Sequence, residues 1–325
     1  MVLADSLAAQ LLAALLVGLG GIVVYSSGSA LLADATAGAQ RARMFGQQVA
    51  LGTIAAFASA YAAGLLADPI ARALGVAPSS LLVVRVLVAL GGAVAAASAV
   101  PILFVRGVPV RAGEQEAPVR RGLLLRFAAV EAVFGFGAGS FIPFVNLFLA
   151  DRFGLPFAAI GLSLGAIAVG GSLGALLHGI HLAPRLGELR SAVLVQLLSV
   201  PFALAAGASS LALVAVAALA IRASLMYGST STYRAFQLSS FRPAERAGVS
   251  AVLSIAWSAT SALGSISSGA LRGRLGDEGW TLNVVTLAAA YLVAAVLALA
   301  FFGAHEPRGD VPANADAAAG PHSLS

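Results

Sequence analysis

Charged residues divide this chain into a series of uncharged blocks, each long enough to cross a bilayer as a helix. Such blocks lie between Asp5 and Asp34, Arg43 and Asp68, Arg85 and Arg106, Arg126 and Asp151 (with Glu131 inside), and Arg152 and Arg185. A helix rises about 1.5 Å per residue, so roughly 20 apolar residues cover the hydrocarbon core. The block from Arg190 to Arg234, interrupted only by Arg222, is too long for one helix. Ala205-Ala206-Gly207-Ala208-Ser209-Ser210 supplies a turn that makes it two. Two more blocks, Arg246 to Arg272 and Glu278 to His305, bring the expected count to nine spans.

Composition agrees. Only 10% of residues are charged, against about one quarter in soluble domains. Mean hydropathy is +0.94. This apolar load argues against a soluble enzyme and excludes a disordered or fibrous chain, because the apolar surface must be buried. All 19 basic residues are Arg, and against 14 acids they give +5. In a membrane chain the placement of Arg carries the information, so this excess is no sign of a nucleic-acid partner. The absence of Cys removes disulfides and thiol chemistry. Asp5 stands where a secretory signal would carry a basic residue.

The expected fold class is all-α, a polytopic membrane bundle. Taking loops alternately on two sides, 13 Arg fall on one side and only Arg72, Arg152, Arg272 and Arg274 on the other. The Arg-rich side is therefore read as cytoplasmic, as in a bacterial inner-membrane protein. The expected domains are an incomplete N-terminal bundle of three helices (1–105), a cytoplasmic linker (106–122), a C-terminal six-helix bundle (123–304) and a disordered cytoplasmic tail (305–325). Small-xxx-small pairs, Gly135/Gly139, Gly161/Gly165, Gly170/Gly174 and Gly269/Gly273, are expected to let helices approach closely.

An internal repeat bears on the topology. Gln40-Arg41-Ala42-Arg43 with Gly64, and Glu245-Arg246-Ala247-Gly248 with Gly269, align at one offset of 205 residues. Each pair ends a cytoplasmic loop and opens an outward-going helix. Sliding by that offset puts Met1 at the turn between the sixth and seventh spans, so the expected ancestor has twelve helices, with about 80 residues and three helices more at the N-terminus.

The stretch Phe141-Ile142-Pro143-Phe144-Val145-Asn146-Leu147-Phe148-Leu149, followed by Asp151-Arg152-Phe153-Gly154-Leu155 and Ile160-Gly161, resembles the seventh helix and the start of the eighth in the major facilitator superfamily of secondary transporters. Leu182-Ala183-Pro184-Arg185-Leu186-Gly187-Glu188-Leu189-Arg190 is similar to that family's basic Gly-Arg loop, with Pro184 in place of an acid. Arg242-Pro243-Ala244-Glu245-Arg246 and the weaker Ala39-Gln40-Arg41 resemble its Pro-x-Glu-Arg turn. This resemblance implies a central cavity, alternating access and gradient-driven movement of a small solute, with H+ as a candidate coupling ion and efflux as one candidate direction. It implies no enzyme activity and no cofactor. It also marks Arg41, Arg185, Gly187, Arg190, Glu245 and Arg246 as cytoplasmic loop motifs.

Ionisable groups inside spans are costly and usually face a bundle interior or a wet cavity. Glu131 sits roughly 12 Å inside its span and Arg222 nearer the midplane. Glu131 shares a helical stripe with Gly135, Ala138, Ile142 and Asn146, and Arg222 shares one with Met226, Ser229 and Tyr233. Glu131, Arg222, Asn146, Met226, Ser229 and Tyr233 are therefore the expected solute or ion pathway. The structural alternatives are a Glu131–Arg222 ion pair or a Glu131 that snorkels to the inner surface. Tyr25, Tyr227 and Ser229-Thr230-Ser231-Thr232 can donate hydrogen bonds to a solute or to their own helices. Gly170-Gly171-Ser172-Leu173-Gly174 matches a nucleophile elbow in letters only, since no strand-to-helix turn carries it. His178 and His181 lack a Cys, Asp or Glu to complete a metal set and are expected at the interface. A membrane scaffold derived from a transporter, truncated and itself inactive in transport, is the competing expectation.

Overall fold

The computed structural model describes residues 38–98, 100, 120–241 and 245–303. The first expected span, Tyr25, Arg242, nearly all of the 106–122 linker and the 305–325 tail lie outside these residues. Among the described residues every regular element is helical: α1 (Gly38–Leu74), α2 (Leu81–Ser98), α3 (Arg121–Phe141), α4 (Val145–Phe153), α5 (Phe157–Leu177), α6 (Ala183–Leu186), α7 (Glu188–Ala208), α8 (Ala212–Ser239), α9 (Arg246–Leu275) and α10 (Asp277–Phe302). They contain eight segments long and apolar enough to cross a membrane, and these coincide with the eight expected spans that fall in the described region.

Two spans are built from more than one helix. The crossing Arg121–Phe153 is broken by a 3-10 turn at Ile142–Phe144 between α3 and α4. Pro143 lies at its centre, where its missing N–H and its ring interrupt the α-helical ladder. The crossing Phe157–Leu186 passes through a π-helical turn, His178–Leu182, before α6. Gly154 makes the bend between α4 and α5: at φ 63° it adopts a left-handed conformation and donates its N–H to the Ala150 carbonyl at 2.9 Å. Gly276, with φ 56° but ψ −125°, joins α9 to α10 in a different conformation and donates its N–H to the Arg272 carbonyl at 2.9 Å.

Large apolar side chains stand on the outside of these helices. Leu213 is 81% exposed and Val94 71% exposed. In water such surface would drive aggregation, whereas in lipid it is solvated.

The helices form two compact units. One holds α1, α2, α4, the first part of α5 and α8 as far as Ile221. Its core is small: Ala67, Ala71 and Val83, covered by Ile70, Val76, Leu87 and Phe157. Here Gly64 lies so close to the Phe157 carbonyl, and Gly161 to the Ala60 carbonyl, that an added Cβ would collide with backbone.

The other unit holds α3, α6, α7, α9, α10 and the rest of α8. Its core centres on Phe127, which stacks on Phe302 at 4.1 Å between ring centroids and meets Tyr233, Phe236 and Phe241 edgewise or tilted. Helix α3 packs against both α9 and α10. Gly135 and Gly139 lie against the backbone of Trp257 and Ser261, Gly264 of α9 lies against the Phe136 carbonyl, and Gly137 lies against Ala290 of α10. Ser265 Oγ donates to the Gly139 carbonyl at 3.0 Å, and Asn283 Nδ2 donates to Ser268 Oγ at 2.7 Å. Small residues bring the backbones together, and these polar groups then bond across the gap.

Gly170 and Gly174 make similar close approaches to Ala220 and Ser224, each within its own unit. Gly269 and Gly273 do not, since nothing lies within 4 Å of a Cβ built on either. Spacing alone cannot tell which glycine pairs face a partner helix. Substituting Gly139 by Leu should therefore cost about 1–3 kcal/mol by overpacking, whereas Gly269→Leu should stay within about 0.5 kcal/mol of the parent. Thermal unfolding of the two variants in detergent checks this, and equal losses would remove the packing distinction.

Candidate functional site

The second unit encloses a cavity of about 50 Å³ whose wall mixes charged, polar and aromatic groups. Helix α8 contributes more of the wall than any other helix, because Ser229, Thr230, Tyr233 and Arg234 fall on one face at helical spacing. Glu131 and Phe134 enter from α3, Gln196 from α7 and Trp257 from α9.

Each charge at this cavity is held by neutral partners. Gln237, four residues past Tyr233 on the same α8 face, is 1% exposed and donates from Nε2 to Glu131 Oε1 at 2.7 Å. Arg234 donates from Nη2 to Ser250 Oγ at 3.0 Å and more loosely to Ser254 Oγ at 3.5 Å, two hydroxyls one turn apart on α9. The Tyr233 hydroxyl is buried beside Glu131 and Gln237 and completes no hydrogen bond of normal geometry. Gln196 donates its amide to the Tyr291 carbonyl at 2.7 Å, which fixes the side chain that lines the cavity from α7.

Arg222 belongs to a second polar cluster. It is 7% exposed, donates from Nη2 to the Tyr291 hydroxyl, and lies 5.3 Å from the centroid of the Tyr291 ring. The other face of the arrangement is a stack of Tyr291 on Phe134, 4.9 Å between centroids and 14° from parallel. Ser199 donates to the Met226 sulfur at 3.0 Å beside this cluster. Phe134 and Gln196 thus connect the Arg222 cluster to the cavity wall.

Of the residues expected on the pathway, Glu131, Ser229 and Tyr233 meet at one cavity. Met226 is buried against Ser199, and Arg222 lies with Tyr291, both off that wall. Asn146, exposed on α4, belongs to the other unit. The alternative of a Glu131–Arg222 ion pair is not what forms. Gln237, which touches Glu131, is fifteen residues beyond Arg222 on α8, roughly 22 Å along the axis and beyond the reach of a guanidinium. Sequence reasoning missed Gln196, Gln237 and Tyr291. The two amides carry a usable signal, being uncharged polar groups in apolar spans, but nothing in the sequence pairs Gln237 with Glu131.

The loop motifs resolve into local anchors. Glu245, 2% exposed, accepts the Arg120 backbone N–H at 3.2 Å and pairs with its guanidinium at 3.8 Å. Arg120 also donates to the Ser240 carbonyl and lies over the Phe241 ring at 5.5 Å. The turn before α9 is thereby tied to the start of α3. Arg185 lies on α6, Gly187 turns the chain at φ 86°, and Arg190 is in the first turn of α7. Arg41 lies on α1 and Arg246 opens α9, and their side chains are outside the described set. His178 is buried, with Nε2 3.2 Å from Ser191 Oγ. His181 is exposed.

Replacing Tyr291 by Phe keeps the ring under Arg222 and removes the acceptor. The expected loss is about 1.5–3 kcal/mol, the range for a hydrogen bond to a charged group. With Arg222→Met added, the combined loss should be smaller than the sum of the two single losses, because no buried charge then lacks its acceptor. A double-mutant cycle on thermal stability measures it, and strict additivity would mean that the contact carries no energy.

No protein-family profile matches this sequence. No curated protein matches it either. Among solved structures, the chain is similar to a bacterial homologue of the human lysosomal transporter Spinster, captured in an inward-facing and occupied conformation. The similarity has a TM-score of 0.57 at 17% identity and covers 84% of this chain and 72% of that one. The chain therefore shares the polytopic helical-bundle fold of that structure.

Proposed function

We propose that this chain moves a small solute across a bacterial cytoplasmic membrane by alternating access, driven by an ion gradient, with the Glu131 cavity as part of the path. The observation that carries this is a carboxylate, an amide and a guanidinium lining one cavity between apolar helices, with a second amide, that of Gln237, on the carboxylate. Groups of this kind cost several kcal/mol in hydrocarbon and are retained where a solute or ion uses them. The transporter fold found among solved structures supports the same reading. Glu131 is the member of the cavity wall suited to coupling, since a carboxylate can exchange its charge for a proton during the cycle whereas a guanidinium stays charged. Gln237 tolerates both forms, because its amide can donate to a carboxylate or accept from a carboxylic acid.

Proteoliposomes holding the purified chain, given an imposed pH gradient and a panel of labelled amino acids, amines, sugars, nucleosides and monocarboxylates, test this. At least one solute should accumulate above protein-free vesicles, and a protonophore should abolish the accumulation. Glu131→Gln should reduce gradient-driven accumulation at least tenfold while leaving exchange of the same solute measurable. No accumulation of any panel member by folded protein would favour the scaffold alternative.

A further inference from the structure

We propose that the Glu131 cavity recognises a small zwitterion of amino-acid type, with a protonated amine at Glu131 and an anionic group at Arg234. This rests on the cavity being part of the solute path and adds the class of solute.

The cavity holds one negative and one positive side chain, Glu131 and Arg234, among otherwise neutral neighbours. The two do not form the contact that would spend both charges. Glu131 has one carboxylate oxygen on the Gln237 amide, and Arg234 has one guanidinium nitrogen on the Ser250 and Ser254 hydroxyls. Neutral partners fix the direction of each group and leave its charge available for a counter-charge, which is how a binding site is pre-organised. A net cation would leave Arg234 and a net anion would leave Glu131 without a counter-charge, and the cost falls mainly on the part-buried Glu131, because Arg234 is exposed at the edge of the cavity. A zwitterion matches both charges and leaves the total unchanged.

The remaining wall suits the same ligand. Phe134, Tyr233 and Trp257 supply rings, which attract an ammonium by their faces and also take an apolar side chain. Size limits the choice. At about 50 Å³ the cavity accommodates a few waters or a compact head group, well short of the several hundred Å³ of drug-sized pockets.

Three probes with one ring separate the possibilities: L-phenylalanine carries both charges, 2-phenylethylamine only the amine, and 3-phenylpropionate only the acid. Titrated into the purified full chain by calorimetry and thermal shift, L-phenylalanine should bind at least tenfold more tightly than either singly charged analogue. Glu131→Gln should weaken L-phenylalanine at least tenfold and improve 3-phenylpropionate, because the cavity then keeps an unmatched cation. Arg234→Gln should do the reverse and improve 2-phenylethylamine. The three-probe comparison on the unaltered chain needs no variant to fold. Equal binding of a singly charged analogue, or binding of none of the three, overturns the zwitterion assignment. Should the uptake panel move a sugar or a nucleoside in a Glu131-dependent way, the transport proposal would stand and this one would fall.

Discussion

Hydrocarbon offers no hydrogen bonds, so every polar group inside these helices must find its partner within the protein. The backbone meets that demand by helix formation. The side chains meet it by pairing across helices, and the pairs chosen here are mostly neutral. Glu131 takes an amide from Gln237, Arg234 takes two serine hydroxyls, and Arg222 takes a tyrosine hydroxyl and ring. A buried ion pair would satisfy the same groups but would also lock them together, since breaking it leaves a stranded charge at a cost of several kcal/mol. Neutral partners satisfy hydrogen bonding and leave the net charge of each site open to change.

Lipid also removes the usual reason for helices to associate, because tails are as apolar as leucine. The second unit answers with close backbone contact. Gly135, Gly137 and Gly139 on α3 lie directly against α9 and α10, so dispersion contacts and short side-chain-to-backbone hydrogen bonds such as Ser265 to the Gly139 carbonyl replace the hydrophobic effect. That tight α3 face lies on the same helix as Glu131, so the carboxylate is presented from a helix whose position is fixed by packing. The aromatic cluster around Phe127 performs the same service one turn earlier, where Tyr233 of the cavity is one of the rings meeting Phe127.

Charge spacing made the spans legible, because an apolar block flanked by Arg or Asp has a definite length and a definite end. The eight spans in the described region follow from that spacing together with the turn at residues 205–210, which divides the longest block in two. Glycine spacing was only half legible: Gly135 and Gly139 pack against backbone and Gly269 and Gly273 against nothing, though both pairs read the same in sequence. The site was legible where the signal was a charge or a stripe on one helix, as for Glu131, Ser229 and Tyr233. It was not legible where it depended on which helices meet. Gln237 and Glu131 are 106 residues apart and Arg222 and Tyr291 are 69 apart, and no periodicity on one helix reveals such a partner.

The separation of Glu131 from Arg222 has a mechanistic consequence. Were the two paired, protonating the carboxylate would strand the guanidinium, and the proton would be opposed by the full cost of that stranded charge. With Arg222 bonded through Nη2 to the Tyr291 hydroxyl and held over its ring, the charge on Glu131 can change without unsatisfying any buried cation in direct contact with it. Yet the two sites still touch through shared parts. Tyr291 stacks on Phe134, and Gln196 bonds the Tyr291 carbonyl, while Phe134 and Gln196 both line the Glu131 cavity. A solute that displaces either side chain therefore presses on the platform that holds the buried Arg222. The cavity can respond to its occupant through packing, and it does so without tying the charge of Glu131 to that of Arg222.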